Sequence, residues 1–338
     1  MRRFFLHLRW RLEWLLLSPI FVGVRLLSDS AVERLVAVAG TLAFSILGRD
    51  RRQCLANLKL VFGDNLSESG RVQLGRAVFQ HHVRTFCEIL RMTPAWIDRN
   101  VVVEGLDNPI TSAAIRGGAI LVSGHLGNFE ISCAVLNRLG IPTTGLARPL
   151  DNPHLEGILA SCRARYGCRS LPRDVRGLRE AIRRLHHRES VGLAIDVNSG
   201  RRGIFVDFFG VPASRPRGAV ELALSTGLPV IMVVVHREPT GTHRVLVAPP
   251  FRLIRSGCLE TDLVLNLQAF IDALEGHIRD WPEQYHWQNG WWRTRPDGTE
   301  WTHGDVIAAS EDRGGRLPYA PARCWSAECQ CTLQQRVA

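Results

Sequence analysis

From residue 101 onward, five short apolar runs constrain the fold of this chain more tightly than anything else in it. They are VVVEG at 101–105, AILVSG at 119–124, VGLAID at 191–196, PVIMVVV at 229–235 and RVLVAPP at 244–250. Such runs are strand-length, and the unbroken Ala119–Val122 stretch is that of a strand covered on both faces. The stretches 127–139, 152–166, 174–187 and 215–226 carry helical patterns. Strands alternating with helices give an α/β fold, a largely parallel central sheet flanked by helices, whose sites gather at the carboxyl ends of its strands.

The amino-terminal part has a different character. Arg2, Arg3, Arg9 and Arg11 lie among Phe4, Phe5, Leu6, Leu8 and Trp10, and an apolar run follows from Leu12 to Leu27. Glu13 interrupts it and Pro19 would kink it. The uncharged stretch between Glu13 and Arg25 falls short of the roughly 20 residues that cross a bilayer. A basic amphipathic segment lying in a membrane interface is the expectation, with a marginal span as the alternative. No small-x-small cleavage site follows, and Arg25 stands where one would begin, which argues against a signal peptide. Residues 31–48 read as a second apolar helix packed near the first. Residues 67–92 read as a long core helix with Val72, Phe79, Val83, Phe86 and Leu90 on one face, and His81 and His82 as surface or satisfied histidines.

With 46% hydrophobic residues the chain is not a disordered one, and its length suits one enlarged α/β domain as well as two small ones. The net charge of +10 points to an anionic partner: a membrane, a phosphate, an acidic carrier protein or a nucleic acid. Lys59 is the only lysine among 42 basic residues, a uniformity that reads as codon bias. In the helix from Val175, Arg176, Arg179, Arg183, Arg184 and Arg188 surround a face of Val175, Leu178, Ile182 and Leu185. A solvated surface is the ordinary meaning of that pattern, a docking surface the sharper one. Nine cysteines without a paired framework suit a reducing compartment. The C-x4-C-x-C group at Cys324, Cys329 and Cys331 has no fourth ligand nearby. No H-E-x-x-H, no G-x-S-x-G and no nucleic-acid-binding module is present, so neither a metal nor another cofactor, neither a serine elbow nor a nucleic acid partner, is expected.

Residues 119–130, AILVSGHLGNFE, hold the candidate chemistry. Gly124 and Gly127 permit a tight turn after the strand, Asn128 suits a helix cap, and His125 falls on the loop with Glu130 in the first turn of the next helix. A loop entering a helix can fold the imidazole back onto the carboxylate, and a histidine oriented by a carboxylate is a general base for a hydroxyl. The H-x4-E spacing alone is no rarer than chance supplies in a chain with 12 His and 32 acids. The backbone N–H groups of Gly127 and Asn128, at a helix start, are candidate donors to an oxyanion. Cys133, past the pair on an apolar helix, reads as a structural thiol.

Taken in order, HLGNFE, ARPLDNPHLEGILASCRARYG, VGLAID, GIFVDFFGVPA with GAVELALSTGLPVIMV, and WPEQYHW resemble the late acyltransferases of lipid A biosynthesis, within the lysophospholipid acyltransferase superfamily. The run RRQCLANLKLVFGDNLSESGRVQLGRAVFQHHVRTFCEIL is similar to that family's segment ahead of its catalytic motif. The resemblance covers roughly residues 10 to 297 and implies a glycerolipid acyltransferase-like fold with a membrane-associated amino-terminal helix. It implies transfer of a fatty acyl chain from an acyl carrier protein thioester, or from coenzyme A, to a lipid hydroxyl at the cytoplasmic face of the inner membrane. The acceptor is a lipid A precursor or, alternatively, another phospholipid, glycolipid or aminolipid. It implies His125 as base, Glu130 as its acidic partner, and Arg148 and Asp196 as substrate-binding residues. Where the family carries a D-Q pair this chain has Asp196, Val197 and Asn198; where it has a threonine-containing turn this chain has Ser214, Arg215, Pro216 and Arg217. The expected division is a membrane-associated segment at 1–30, an acyltransferase domain at 31–300 and a tail at 301–338.

Overall fold

The computed structural model describes residues 2–312. Four helices come first: α1 (Arg2–Leu26), α2 (Asp29–Ile46), α3 (Gly48–Phe62) and α4 (Glu68–Arg91). Ser28 and Ser67 accept hydrogen bonds from the first turns of α2 and α4, satisfying amides that the helix itself cannot. α5 (Pro94–Asn100) then leads into β1 (Val101–Glu104), α6 (Pro109–Arg116) and β2 (Ile120–Ser123). α7 (Glu130–Arg138), β3 (Thr143–Ala147), α8 (Pro153–Arg165), β4 (Arg169–Pro172), α9 (Val175–His186) and β5 (Ser190–Ala194) continue the alternation. A hairpin of β6 (Ile204–Phe208) and β7 (Val211–Arg215) interrupts it. The chain resumes with α10 (Gly218–Thr226), β8 (Val230–Arg237), β9 (His243–Val247), α11 (Leu259–Asp280) and α12 (His303–Asp312).

Seven strands form the central sheet in the order β1-β9-β8-β2-β5-β3-β4. Five of them, β8 through β4, are parallel; β9 runs antiparallel to β8, and β1 follows β9. The expected parallel α/β sheet is therefore present, with one reversal. Its cause is local, because residues 238–242 are too few for a crossover and close instead as a turn, with Glu238 N–H on Thr242 O at 2.8 Å. All five apolar runs became strands of this sheet. β3 and the edge strand β4, with TTGLA and RSLP, lack an apolar run that would have marked them.

The sheet core divides by strand alternation. Ile120, Val122, Met232 and Val234 pack on one side with Phe270, Trp287, Trp291 and Trp292, while Leu121, Ile231, Val233 and Val235 pack on the other with Ile131 and Leu136. α1 lies against α4 and α8, with Phe21 and Val24 buried beside Val32, Val36 and Leu90. Glu13, the charge that breaks the first apolar run, accepts hydrogen bonds from Arg9 and from Asn152 at the start of α8. Among the described residues no single helix is long and apolar enough to cross a membrane; α2 and the following helical stretch to Asn65 pass that test only together, bent by 92°. Of the expected tail, residues 303–312 form α12, tied to α3 by Lys59 and Glu311 at 2.7 Å. The remainder, with Cys324, Cys329 and Cys331, lies outside the described residues.

Candidate active site

β2 and β5 run parallel with Ser123 opposite Ala194. Two residues further along each strand stand His125 and Asp196, so the register itself places the imidazole beside a carboxylate. Nδ1 of His125 lies 2.9 Å from Oδ1 of Asp196, and the His125 backbone N–H donates to Oδ2 at 2.7 Å. The Tyr285 hydroxyl donates to the same Oδ2 at 3.1 Å. Asp196 is wholly buried, while the His125 side chain keeps 23% exposure, and among the described residues no group hydrogen-bonds its Nε2. This is a histidine held by one nitrogen with the other open to a reactant.

The electrostatics follow from that geometry. Burial pushes the Asp196 carboxyl upward, but the His125 charge and hydrogen bonds, with the Arg215 guanidinium beyond them, hold it below its ordinary value. Burial pushes the imidazole of His125 down; attraction to Asp196 outweighs this and leaves it above the ordinary value of 6.5. Asp196 thus acts on the ring as charge and as anchor.

Glu130, the expected partner, is engaged elsewhere. It begins α7 and turns toward α8, where the Arg163 guanidinium grips both its oxygens, with Nε at 3.2 and 3.0 Å. The first turn of α7 projects Glu130 sideways onto α8, whereas the neighbouring parallel strand delivers Asp196 straight to Nδ1. The His125–Glu130 pairing is corrected accordingly: the ring's carboxylate is Asp196, and the short spacing in sequence was not the short distance in space.

The other expected residues divide. Gly127 has φ of +60°, and a Cβ there would stand 2.0 Å from the Val235 carbonyl oxygen, so only glycine fits. Its N–H is spent on Gln284 O at 2.9 Å, which removes it from the oxyanion donors. Asn128 caps nothing with its side chain: the Nδ2 group donates to Glu88 on α4 at 3.1 Å, and among the described residues its backbone N–H makes no backbone hydrogen bond. Arg148, beyond β3, is exposed and pairs with Asp151 at 3.1 Å, away from the imidazole's contacts. Asn198 bonds Thr294 at 3.0 Å, and Ser214 bonds Gly200 O at 2.6 Å, both structural uses. Arg215 is buried, its guanidinium on Trp291 O at 2.9 Å and 4.4 Å from the Phe208 ring centre.

Several residues around the loop were given no site role by sequence reasoning. Residues 284–287 strap the loop, with Leu126 bridged to Tyr285 and His286 N–H on His125 O at 3.1 Å. Of the two alternatives expected for His81 the satisfied one holds: it is buried and hydrogen-bonds the backbone of Gly127, and burial first, then the positive charge of neighbours, pushes it down to about 3. The rings of Phe129, Trp291 and His286 surround His125 at 5.3, 5.7 and 6.0 Å. The only hint of these in the sequence was the WPEQYHW block, which carries Tyr285 and His286.

The comparisons with known proteins agree along nearly the whole length. A family model described as bacterial lipid A biosynthesis acyltransferase matches residues 2–294. The chain is 28% identical over 302 residues to a lipid A biosynthesis lauroyltransferase of Escherichia coli K12, covering 87% of this chain and 95% of the relative. It is 26% identical over 306 residues to a lipid A biosynthesis palmitoleoyltransferase of the same organism, covering 88% and 95%. A phosphatidylinositol mannoside acyltransferase of Mycobacterium tuberculosis H37Rv is 28% identical over 196 residues, 56% of this chain and 60% of the relative.

Proposed function

Because the chain belongs to the bacterial lipid A biosynthesis acyltransferase family, we propose that it moves a fatty acyl chain from an acyl carrier protein thioester to a hydroxyl of a lipid A precursor, with His125 as general base. Acyltransferase activity on a lipid acceptor follows from the family; the donor, the acceptor and the residue roles are our reading. The observation that carries it is the His125–Asp196 pair, with Nε2 unoccupied at the carboxyl end of β2.

In this reading the acceptor hydroxyl approaches Nε2. The hydroxyl proton passes to that nitrogen as the oxygen attacks the thioester carbon, and Asp196 stabilises the imidazolium that forms. The tetrahedral oxyanion collapses, the carbon–sulfur bond breaks with its electron pair on sulfur, and the proton returns from His125 to the thiolate. A thioester is already activated, so no acyl-enzyme is required. The Asn128 N–H, at the entrance to α7, is our candidate oxyanion donor. Arg163 and Glu130 brace α7 against α8 and so fix the loop that carries the base.

Residues 1–30 serve as a membrane-associated segment and residues 31–300 as the catalytic unit, placed at the cytoplasmic face of the inner membrane. Exposed Leu15, Ile20, Val22 and Leu26 on α1, with Val38, Leu42 and Ile46 on α2, support an apolar contact with lipid. The relative named a phosphatidylinositol mannoside acyltransferase keeps a second reading in view, a glycolipid acceptor other than lipid A. Coenzyme A is the alternative donor. The test is acyl transfer by purified protein from carrier-protein and coenzyme A thioesters to lipid A precursor and to phosphatidylinositol mannoside, read by mass spectrometry of the product. Acylated lipid A precursor from the carrier donor is expected; transfer to the mannoside alone would replace the acceptor.

A further inference from the structure

His82 on α4, His125 and His286 bring three partly buried imidazoles together in a row. The His82 and His286 ring centres are 4.0 Å apart, and those of His286 and His125 are 6.0 Å apart. His286 is clamped at both backbone ends: its N–H donates to His125 O at 3.1 Å, and its carbonyl accepts from Trp291 Nε1 at 3.0 Å. Its ring is half-buried, and among the described residues nothing hydrogen-bonds either ring nitrogen. A rigidly held imidazole beside the base, with no partner of its own, is placed to meet a substrate atom.

We infer that His286 is a second catalytic imidazole, donating a ring N–H to the thioester carbonyl oxygen as that oxygen becomes negative. The inference rests on His125 being the base. The 6.0 Å spacing fits, because each ring nitrogen lies about 1 Å from its ring centre and an N–H···O bond adds about 2.9 Å, so both rings reach one reacting group. The need is also on the page. Gly127's amide is spent on Gln284, leaving the loop short of one oxyanion donor. Burial first, then the charges of His82, His125 and His81, keep His286 well below its ordinary value and therefore neutral. A neutral imidazole donates a hydrogen bond without competing for the proton that His125 takes, the role of an electrophilic histidine. His286 exchanges no proton: the hydroxyl proton travels to His125 and on to the departing sulfur.

Three variants of the full chain test this. His286→Phe keeps a ring and removes the N–H; His286→Asn keeps an N–H; His125→Ala reports on the base. With carrier-protein thioester and lipid acceptor, His286→Phe should lose about 10²- to 10³-fold in kcat, the usual cost of one oxyanion donor, with KM little changed. His286→Asn should recover at least about tenfold of that loss, and the acid limb of the pH profile should stay where His125 sets it. A folded His286→Phe protein within about threefold of the parent overturns the inference. The unaltered protein gives a second reading that no folding defect can obscure. ¹⁵N imidazole spectra should show the His286 N–H shifting with a ketone analogue of the thioester, and not with the matching analogue lacking the carbonyl; no ketone-specific shift overturns the inference. Full turnover in His125→Ala would instead remove the base assignment, whereas an inactive His125→Ala beside an unimpaired His286→Phe would remove only His286.

Discussion

At the scale of single residues, the site is a question of which carboxylate meets which nitrogen. His125→Ala should lower kcat by about 10²- to 10⁴-fold, the worth of a general base, with thermal unfolding close to the parent. Asp196→Asn separates charge from shape. A general base works only when neutral, so with His125 in the proposed role activity should rise with pH through the His125 pKa, which attraction to Asp196 holds above 6.5. Removing that attraction leaves burial and the Arg173 charge, both of which lower the imidazole. The acid limb of kcat/KM in Asp196→Asn should therefore move to lower pH even as the maximal rate falls, and an unmoved limb would contradict the pairing. Glu130→Gln should behave differently. It takes from the largely buried Arg163 the carboxylate that grips it and leaves Glu156 at 4.0 Å, a change that costs up to about 3 kcal/mol in such settings, so melting should fall while the acid limb stays in place.

At the scale of elements, the loop from β2 to α7 is precise because other elements hold it. His81 and Glu88 of α4 reach it from one side and residues 284–287 from another, while the β2–β5 register delivers Asp196 from beneath. Gly127→Ala tests this scaffold. A Cβ there would stand 2.0 Å from the Val235 carbonyl, so the loop must shift, and a displacement near 1 Å typically costs about 100-fold in rate. The expected result is a folded sheet with kcat down by roughly that factor, checked by circular dichroism and initial rates together.

For the whole molecule, charge and apolar surface act jointly. The sequence of the +10 chain carries Arg2, Arg3 and Arg11 ahead of a helical flank that exposes Leu15, Ile20, Val22 and Leu26. Each basic residue near an anionic surface contributes about 1 kcal/mol. Replacing these three arginines by glutamine should weaken cosedimentation with phosphatidylglycerol vesicles by at least tenfold, and higher salt should weaken the parent likewise. Binding to neutral phosphatidylcholine vesicles should change little. Equal loss on both kinds of vesicle would assign the effect to folding rather than to charge.

The sequence by itself determined the sheet's strands wherever burial on both faces demanded an unbroken apolar run, and it determined the strand–glycine–histidine loop, since only a strand end and a turn accommodate AILVSGHLG. It also carried the family, through ordered blocks that survive loss of identity elsewhere. Edge strand β4 and its neighbour β3 left no such run, and the reversal of β9 depended on a turn five residues long. The partner of His125 was decided only by tertiary structure. Glu130 is five residues away along the chain but belongs to a helix that turns it toward Arg163, whereas Asp196, 71 residues away, is brought alongside by parallel pairing of two strands. Sequence spacing measures distance within one element; hydrogen-bonded register between elements sets which side chains meet.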